Sequence, residues 1–142
     1  MKIATPNYVL RDEGHAVRPV VAQASAGLIH DLIFGFSDKP FYDEFASKSK
    51  LLLLPYPLVK GYLKNQLEAA TGDDDSKQAN ANGALLSLVV VDAAGPEADV
   101  IYATTMEAIL VAFDFRAKQI LATHLLRFVP KSSSFQLEDI PA

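Results

Sequence analysis

The sequence predicts an α+β fold in which N-terminal helices pack on a mainly antiparallel sheet formed by the C-terminal half. Three observations lead there. Apolar residues recur at helical spacing in the first half, over residues 26–36 and 57–70. The second half carries β-prone runs over 84–91 and 100–105. Between them, residues 72–83 (GDDDSKQANANG) contain no large apolar side chain and divide the chain.

The elements follow in order. Residues 7–11 and 16–22 (NYVLR and AVRPVVA) read as short extended segments. Pro19 makes the second an edge or irregular strand, because proline has no N–H to give to a ladder. Ser25 caps a helix over 26–36, with Leu28, Ile29, Leu32, Ile33 and Phe36 on one face. Ser37 or Asp38 caps a second short helix, with Pro40 in its first turn and Phe41 and Phe45 turned inward. Lys50 to Leu54 is a brief apolar run that Pro55 ends. Pro57 opens a third helix through Ala70, with Leu58, Val59, Tyr62, Leu63 and Leu67 on its apolar face and Gly72 as its stop. Residues 72–83 are expected to form a mobile surface loop.

Residues 106–129 fit two patterns. Met106, Ile109, Phe113, Ala117, Ile120, His124 and Phe128 make a helical face. Ile109, Val111, Phe113 and Phe115 also alternate as a strand does. The lack of Gly, Pro and Asn favours a helix, and the β-branched and aromatic content favours a hairpin. The balance falls on the hairpin. The stretch after Pro130 reads as irregular.

At 142 residues the chain has the length of one domain, spanning 1–142. A chain of this size buries roughly 70% of its unfolded surface and needs no covalent staple. Half of its residues are hydrophobic and 21% are charged, the balance of a packed globule. It has no cysteine, which excludes disulfides, thiolate metal sites and a cysteine nucleophile. Its net charge is −4, and its only modest basic cluster is Arg116, Lys118, Arg127 and Lys131, so nucleic acid is not an expected partner. The first residues show no apolar stretch of signal-peptide length, and no segment is long enough to span a membrane. A cytoplasmic location is the expectation.

The glycines, at 14, 27, 35, 61, 72, 83 and 95, make neither a dinucleotide fingerprint nor a phosphate loop. No metal-binding HExxH is present. The run Asp73 to Asp75 lacks the alternating ligands and the sixth-position glycine of a calcium loop, and reads as a solvated acidic loop. No cofactor or metal is expected.

Ser25 lies between an extended run and an amphipathic one, with Asp92 and His124 following in the order Ser, Asp, His. A strand–serine–helix turn exposes the nucleophile of many hydrolases. Here the first glycine of that motif is Gln23, and too little chain precedes it for the usual sheet, so Ser25 reads as a helix cap. Residues 83–95 (GALLSLVVVDAAG) resemble the central-helix segment of hot-dog thioesterases, where a glycine-rich entry precedes an apolar helix carrying an acidic residue. The usual preceding histidine is missing, and Asp92 falls one residue late. The resemblance implies that Asp92 orients a water or binds the thioester. The alternative is a buried strand ending in an acidic turn.

Helices on a curved sheet often enclose an apolar pocket. Phe34, Phe36, Phe41, Phe45, Tyr56, Tyr62, Tyr102, Phe113 and Phe115 are available to line one, or simply to fill a core. His30, Tyr56, Tyr102 and Asp114 are the candidate ligand contacts. Leu51 to Leu54, Tyr56, Leu58 and Val59 put large apolar side chains in short elements, as surfaces for association do. The expected function is a non-catalytic binding or interaction module, a homo-oligomer whose apolar surface or cavity meets a protein partner or a small hydrophobic ligand. The alternative is a small cavity enzyme, a hydrolase or isomerase, with Asp92 as base and His124 as its partner. A peripheral membrane protein using Leu51 to Val59 is weaker, because that segment lacks a basic face.

Overall fold

The computed structural model describes residues 1–24, 29–71 and 85–140. In chain order its elements are β1 (Lys2–Ala4), β2 (Tyr8–Asp12), β3 (His15–Ala16), β4 (Val21–Ala24), β5 (Ile29–Phe36), α1 (Lys39–Ser47), β6 (Leu54–Pro57), α2 (Lys60–Thr71), β7 (Leu86–Val91), β8 (Val100–Thr105), α3 (Met106–Asp114), β9 (Gln119–Leu121), β10 (His124–Val129) and β11 (Ser134–Asp139).

β5 and β7 lie parallel at the centre of the main sheet. On one side, β8, β10 and β11 continue it antiparallel. On the other, β2 joins β5 and β6 joins β2, both antiparallel. β3 turns back on β2, and β4 runs parallel to β11. β1 and β9 form a separate antiparallel pair.

The stretch from β3 to β4 joins the two ends of the sheet. Val17 donates its N–H to the Leu10 carbonyl of β2 and accepts from the Phe34 N–H of β5. A few residues on, the Val20 carbonyl accepts from the Phe135 N–H of β11. One extended segment is therefore bonded at both ends, and the sheet curls on itself as a barrel does.

Side chains alternate across the curled sheet. Leu32, Phe34 and Phe36 of β5 point inward with Leu88, Val90, Ala103, Leu126, Phe135 and Leu137. Phe45 of α1 closes this interior, with its ring centroid 4.7 Å from that of Phe34 and 5.2 Å from that of Phe36. Asp38 sets the start of α1 by accepting from the Lys39 N–H at 2.8 Å, and Pro40 sits in its first turn. The outer face of β5 and β7 is covered by α2 and α3, where Ile33, Val89 and Val91 meet Leu63, Met106 and Ile109. Gly35 is required there. A Cβ at this position would stand 2.5 Å from Val89 Cγ1 and 3.1 Å from Pro6 Cβ.

The α+β class is as expected, and the division between halves is not. β2, β5 and β6 come from the first half of the chain, and α3 comes from the second. The segment 26–36, expected as a helix, is a strand over 29–36. Leu32 to Phe36 are all buried, whereas an amphipathic helix would expose one face of that run. A strand covered on both faces buries every residue, and its sequence loses its alternation. Residues 106–129 are neither a single helix nor a hairpin. Thr105 caps α3 by accepting from the Ala108 N–H at 3.1 Å. Burial of Met106, Ile109 and Ala112, with Val111 and Phe115 exposed, follows the helical period. Strands β9 and β10 come after it. The tail is not irregular, since Ser134–Asp139 pairs with β10 along its whole length.

Residues 86–91 are a central strand and not the apolar helix that the hot-dog resemblance implies. The Ser25 cap and the loop expected over 72–83 lie outside the described residues. No described helix is long and apolar enough to cross a membrane.

Candidate functional site

The most organised polar cluster lies on the outer face of β5. Pairing between β5 and β7 slips between Ile29 and Asp31, so His30 is an extra residue in the ladder. Such bulges re-aim the side chains beside them. Asp31 is only 6% exposed. A buried carboxylate is costly unless it is fully bonded. Its Oδ1 accepts from Arg18 Nε at 2.9 Å and from the Leu32 N–H at 3.0 Å, and its Oδ2 accepts from the Tyr62 hydroxyl at 2.6 Å. Arg18 also donates from Nη1 to the Ala16 carbonyl at 3.1 Å. Three elements meet at one carboxylate: the stretch after β3, β5 and α2.

The electrostatics follow from this arrangement. Burial, reinforced by the bond to Asp31, pushes the Tyr62 phenol far above its ordinary pKa of 10.0. Tyr62 is thus a fixed hydrogen-bond donor, not a base. Burial opposes the Arg18 charge, but the bond and the field of Asp31 outweigh it and raise its pKa. Ser87, opposite Asp31 in register on β7, is buried, and its hydroxyl has no hydrogen-bond partner among the described residues.

Arg18 and Tyr62 line a cleft of about 240 Å³ between the β2–β3 hairpin and the start of α2. Ala16, Pro57 and Val59 give the cleft accessible apolar surface, and Val9, Ile33 and Leu58 lie almost wholly buried behind it. Arg11 and His15 are its other titratable liners. Arg11 is steadied by the Tyr56 ring, whose centroid lies 4.5 Å from its guanidinium carbon.

The candidates from the sequence are dispersed. Asp92 follows β7 with a left-handed φ of 56°. It accepts from the Ser37 N–H and the Ser37 hydroxyl, each at 2.7 Å, and so ties the end of β5 to the end of β7. Burial raises its pKa, against the lowering effect of the Ser37 bonds. His124 is buried at the start of β10, with Nδ1 2.8 Å from the Thr123 hydroxyl and Nε2 3.2 Å from Asp139. Burial lowers its pKa, and Asp139 opposes that shift. Strand β8 stands between β7 and β10, and each of the two side chains bonds to a different neighbour. His30 is half-buried and lies with Arg18 and Asp31 along a second, shallower groove. Tyr56 is exposed on β6 beside Arg11. Tyr102 is half-buried between Val91 and Leu125 in register. Asp114 is exposed at the end of α3 and pairs with Lys60 at 2.6 Å, which lowers its pKa.

Of the aromatics available for a pocket, Phe34, Phe36 and Phe45 fill the closed interior, and Phe115 is exposed. Tyr62 alone among them lines the cleft. Sequence reasoning missed Arg18 and Asp31. The signal was present: each is an isolated charge inside an apolar run, AVRPVVA and IHDLIFGF. Charges so placed are either exposed or paired with one another. No described group of acidic and histidine side chains has the arrangement of a metal site. No protein-family model, curated protein or solved structure matches the chain, so its function has to be read from this geometry.

Proposed function

We propose that the protein is a non-catalytic binding module whose cleft between the β2–β3 hairpin and α2 takes a small amphipathic ligand. One observation carries this reading: a buried carboxylate, Asp31, holds two of the cleft's polar liners, Arg18 and Tyr62, in fixed orientation beside the apolar side chains of Pro57 and Val59. Concave sites with apolar walls and a few fixed polar groups are what ligands bind. An acid–base enzyme draws less support, because Asp92 and His124 are each engaged elsewhere. A native mass spectrum of freshly purified protein, beside a denatured one, tests the proposal. We expect extra mass that leaves on denaturation and is absent from Val59→Trp, which fills the cleft. Extra mass that persists in Val59→Trp would place the ligand elsewhere.

A second reading rests on the leucines before and in β6. Leu52 is 85% exposed, and Leu51 and Leu54 are exposed beside it. Such a patch suits self-association or a protein partner. Leu58, next after Pro57, donates its N–H to the carbonyl of Asn7, just before β2, so Pro55 and Pro57 stand at the outward-facing positions of β6. That edge offers no N–H there and resists pairing with a further strand. Association would use leucine side chains. A bare oligomer in the native spectrum, reduced to monomer by Leu52→Glu, favours this reading over the first.

A further inference from the structure

The charge of the cleft points to the class of its ligand. Among the described residues, two arginines and a histidine line it, and no acidic side chain does. Asp31 is bonded to Arg18 and Tyr62 and does not itself line the cleft. It answers one arginine. Arg11 has no carboxylate partner among the described residues, and its recorded contact is the face of Tyr56. A cleft with an unanswered cation attracts an anion.

The form of the anion follows from geometry and size. Arg18 is held by Nε and Nη1 against Asp31 and Ala16, and the rest of its planar fork remains for a ligand. Such a fork matches the two oxygens of a carboxylate. Glycine-rich backbone N–H cradles, which suit phosphate, are absent from the cleft, where Gly14 is the only glycine. Apolar surface is reached at Ala16 on the hairpin side and at Pro57 and Val59 before α2. A cleft of about 240 Å³ lies below the roughly 300–1,000 Å³ of pockets for drug-sized molecules, so the ligand is small.

Resting on the binding-module reading above, we propose that the ligand is a small monocarboxylic acid. Arg18 and Arg11 take its carboxylate, Tyr62 and Asp31 hold Arg18 in place, and its hydrocarbon part lies on Ala16, Pro57 and Val59.

Hexanoate, 1-hexanol and inorganic phosphate are the probes, titrated by calorimetry into the full-length protein stripped of any bound ligand. Hexanoate should bind saturably. 1-Hexanol, which keeps the chain and loses the charge, should not, and phosphate, which keeps charge and loses the chain, should not. Arg11→Met should weaken hexanoate by about tenfold or more while leaving the unliganded melting temperature close to that of the parent. Arg11 is the residue to change first, because removing Arg18 strands Asp31. Equal binding of 1-hexanol and hexanoate would overturn the carboxylate and leave the binding module standing. Phosphate that binds as well as hexanoate and competes with it would overturn the need for the hydrocarbon part. Hexanoate binding that Arg11→Met does not change would overturn the site. Failure of all three probes, with a native mass that still shows a ligand lost in Val59→Trp, would overturn the acid alone. Failure of all three with no such mass would overturn the binding module as well.

Discussion

The two faces of the central strands are built by opposite rules. Inside the curl, Leu32, Phe34, Phe36, Leu88 and Val90 pack together in one apolar cluster, and α1 shuts the interior with Phe45. Outside, the same two strands carry Asp31 and Ser87 next to Ile33 and Val89. The inner face needs nothing but shape and apolar area to be stable. The outer face contains a buried carboxylate, which is a poor source of stability and a good means of fixing a side chain. The fold is held from within, and the proposed binding site lies on the outer face. Measurements that treat the two faces alike can break this contrast.

The largest effect belongs to the inner face. Phe34→Ala removes a fully buried ring that touches Phe45 and leaves a void that the closed sheet cannot fill. The cost should be about 3–5 kcal/mol in denaturant unfolding. A cost near 1 kcal/mol would mean that the interior relaxes and does not dominate stability.

The outer face should respond differently to single and combined changes. Asp31→Ala leaves Arg18, the Tyr62 hydroxyl and the Leu32 N–H without their acceptor. We expect a loss of about 3 kcal/mol, toward the low end for a broken buried pair because Arg18 is half-exposed. Changing the whole cluster to Arg18→Met, Asp31→Leu and Tyr62→Phe removes the polar groups together. That variant should recover to within about 1 kcal/mol of the parent. It should also lose every ligand bound in the cleft. A triple variant as unstable as the single one would make the cluster structural, and the contrast between the faces would fail.

Much of the inner face was legible in the sequence, and most of the outer site was not. The runs at 84–91 and 100–105 declare strands by composition alone, and Asp38 with Pro40 declares the start of α1. β5 was misleading for a physical reason. Its apolar residues fall at helical spacing only because the strand is covered on both sides, and the position of β7 beside it is a long-range fact. The alternation Phe135, Gln136, Leu137, Glu138 was legible in retrospect, since Phe135 and Leu137 are buried and Gln136 and Glu138 are not fully so. Arg18 and Asp31 stood out as lone charges, but nothing local says that they meet. Their meeting depends on the bulge at His30 and on the closure that carries residues 17–20 past β5. Asp92 and His124 were chosen for strand ends, and the intervening β8 gives each its own neighbours.

The smallest effect lies at the rim of the inner face, where the contrast is least clean. His124 shares the inward parity of Leu126, yet it is a titratable group that faces the exposed Asp139 across the β10–β11 pair. Burial holds its pKa below the ordinary 6.5, and Asp139 only partly offsets this. A base whose pKa is lowered by folding binds its proton more tightly in the unfolded chain. Its contribution to stability is therefore present above about 6.5 and is lost as pH falls through that value toward the folded pKa. Asp92 has the opposite sign, because burial raises its pKa, so its contribution grows as pH falls. The two must be separated by difference. Unfolding of the parent and of His124→Leu, measured from pH 7.5 down to 5, should show the parent losing stability faster than the variant. Parallel curves would mean that His124 charges freely in the folded protein, and that water reaches the inner face at this corner.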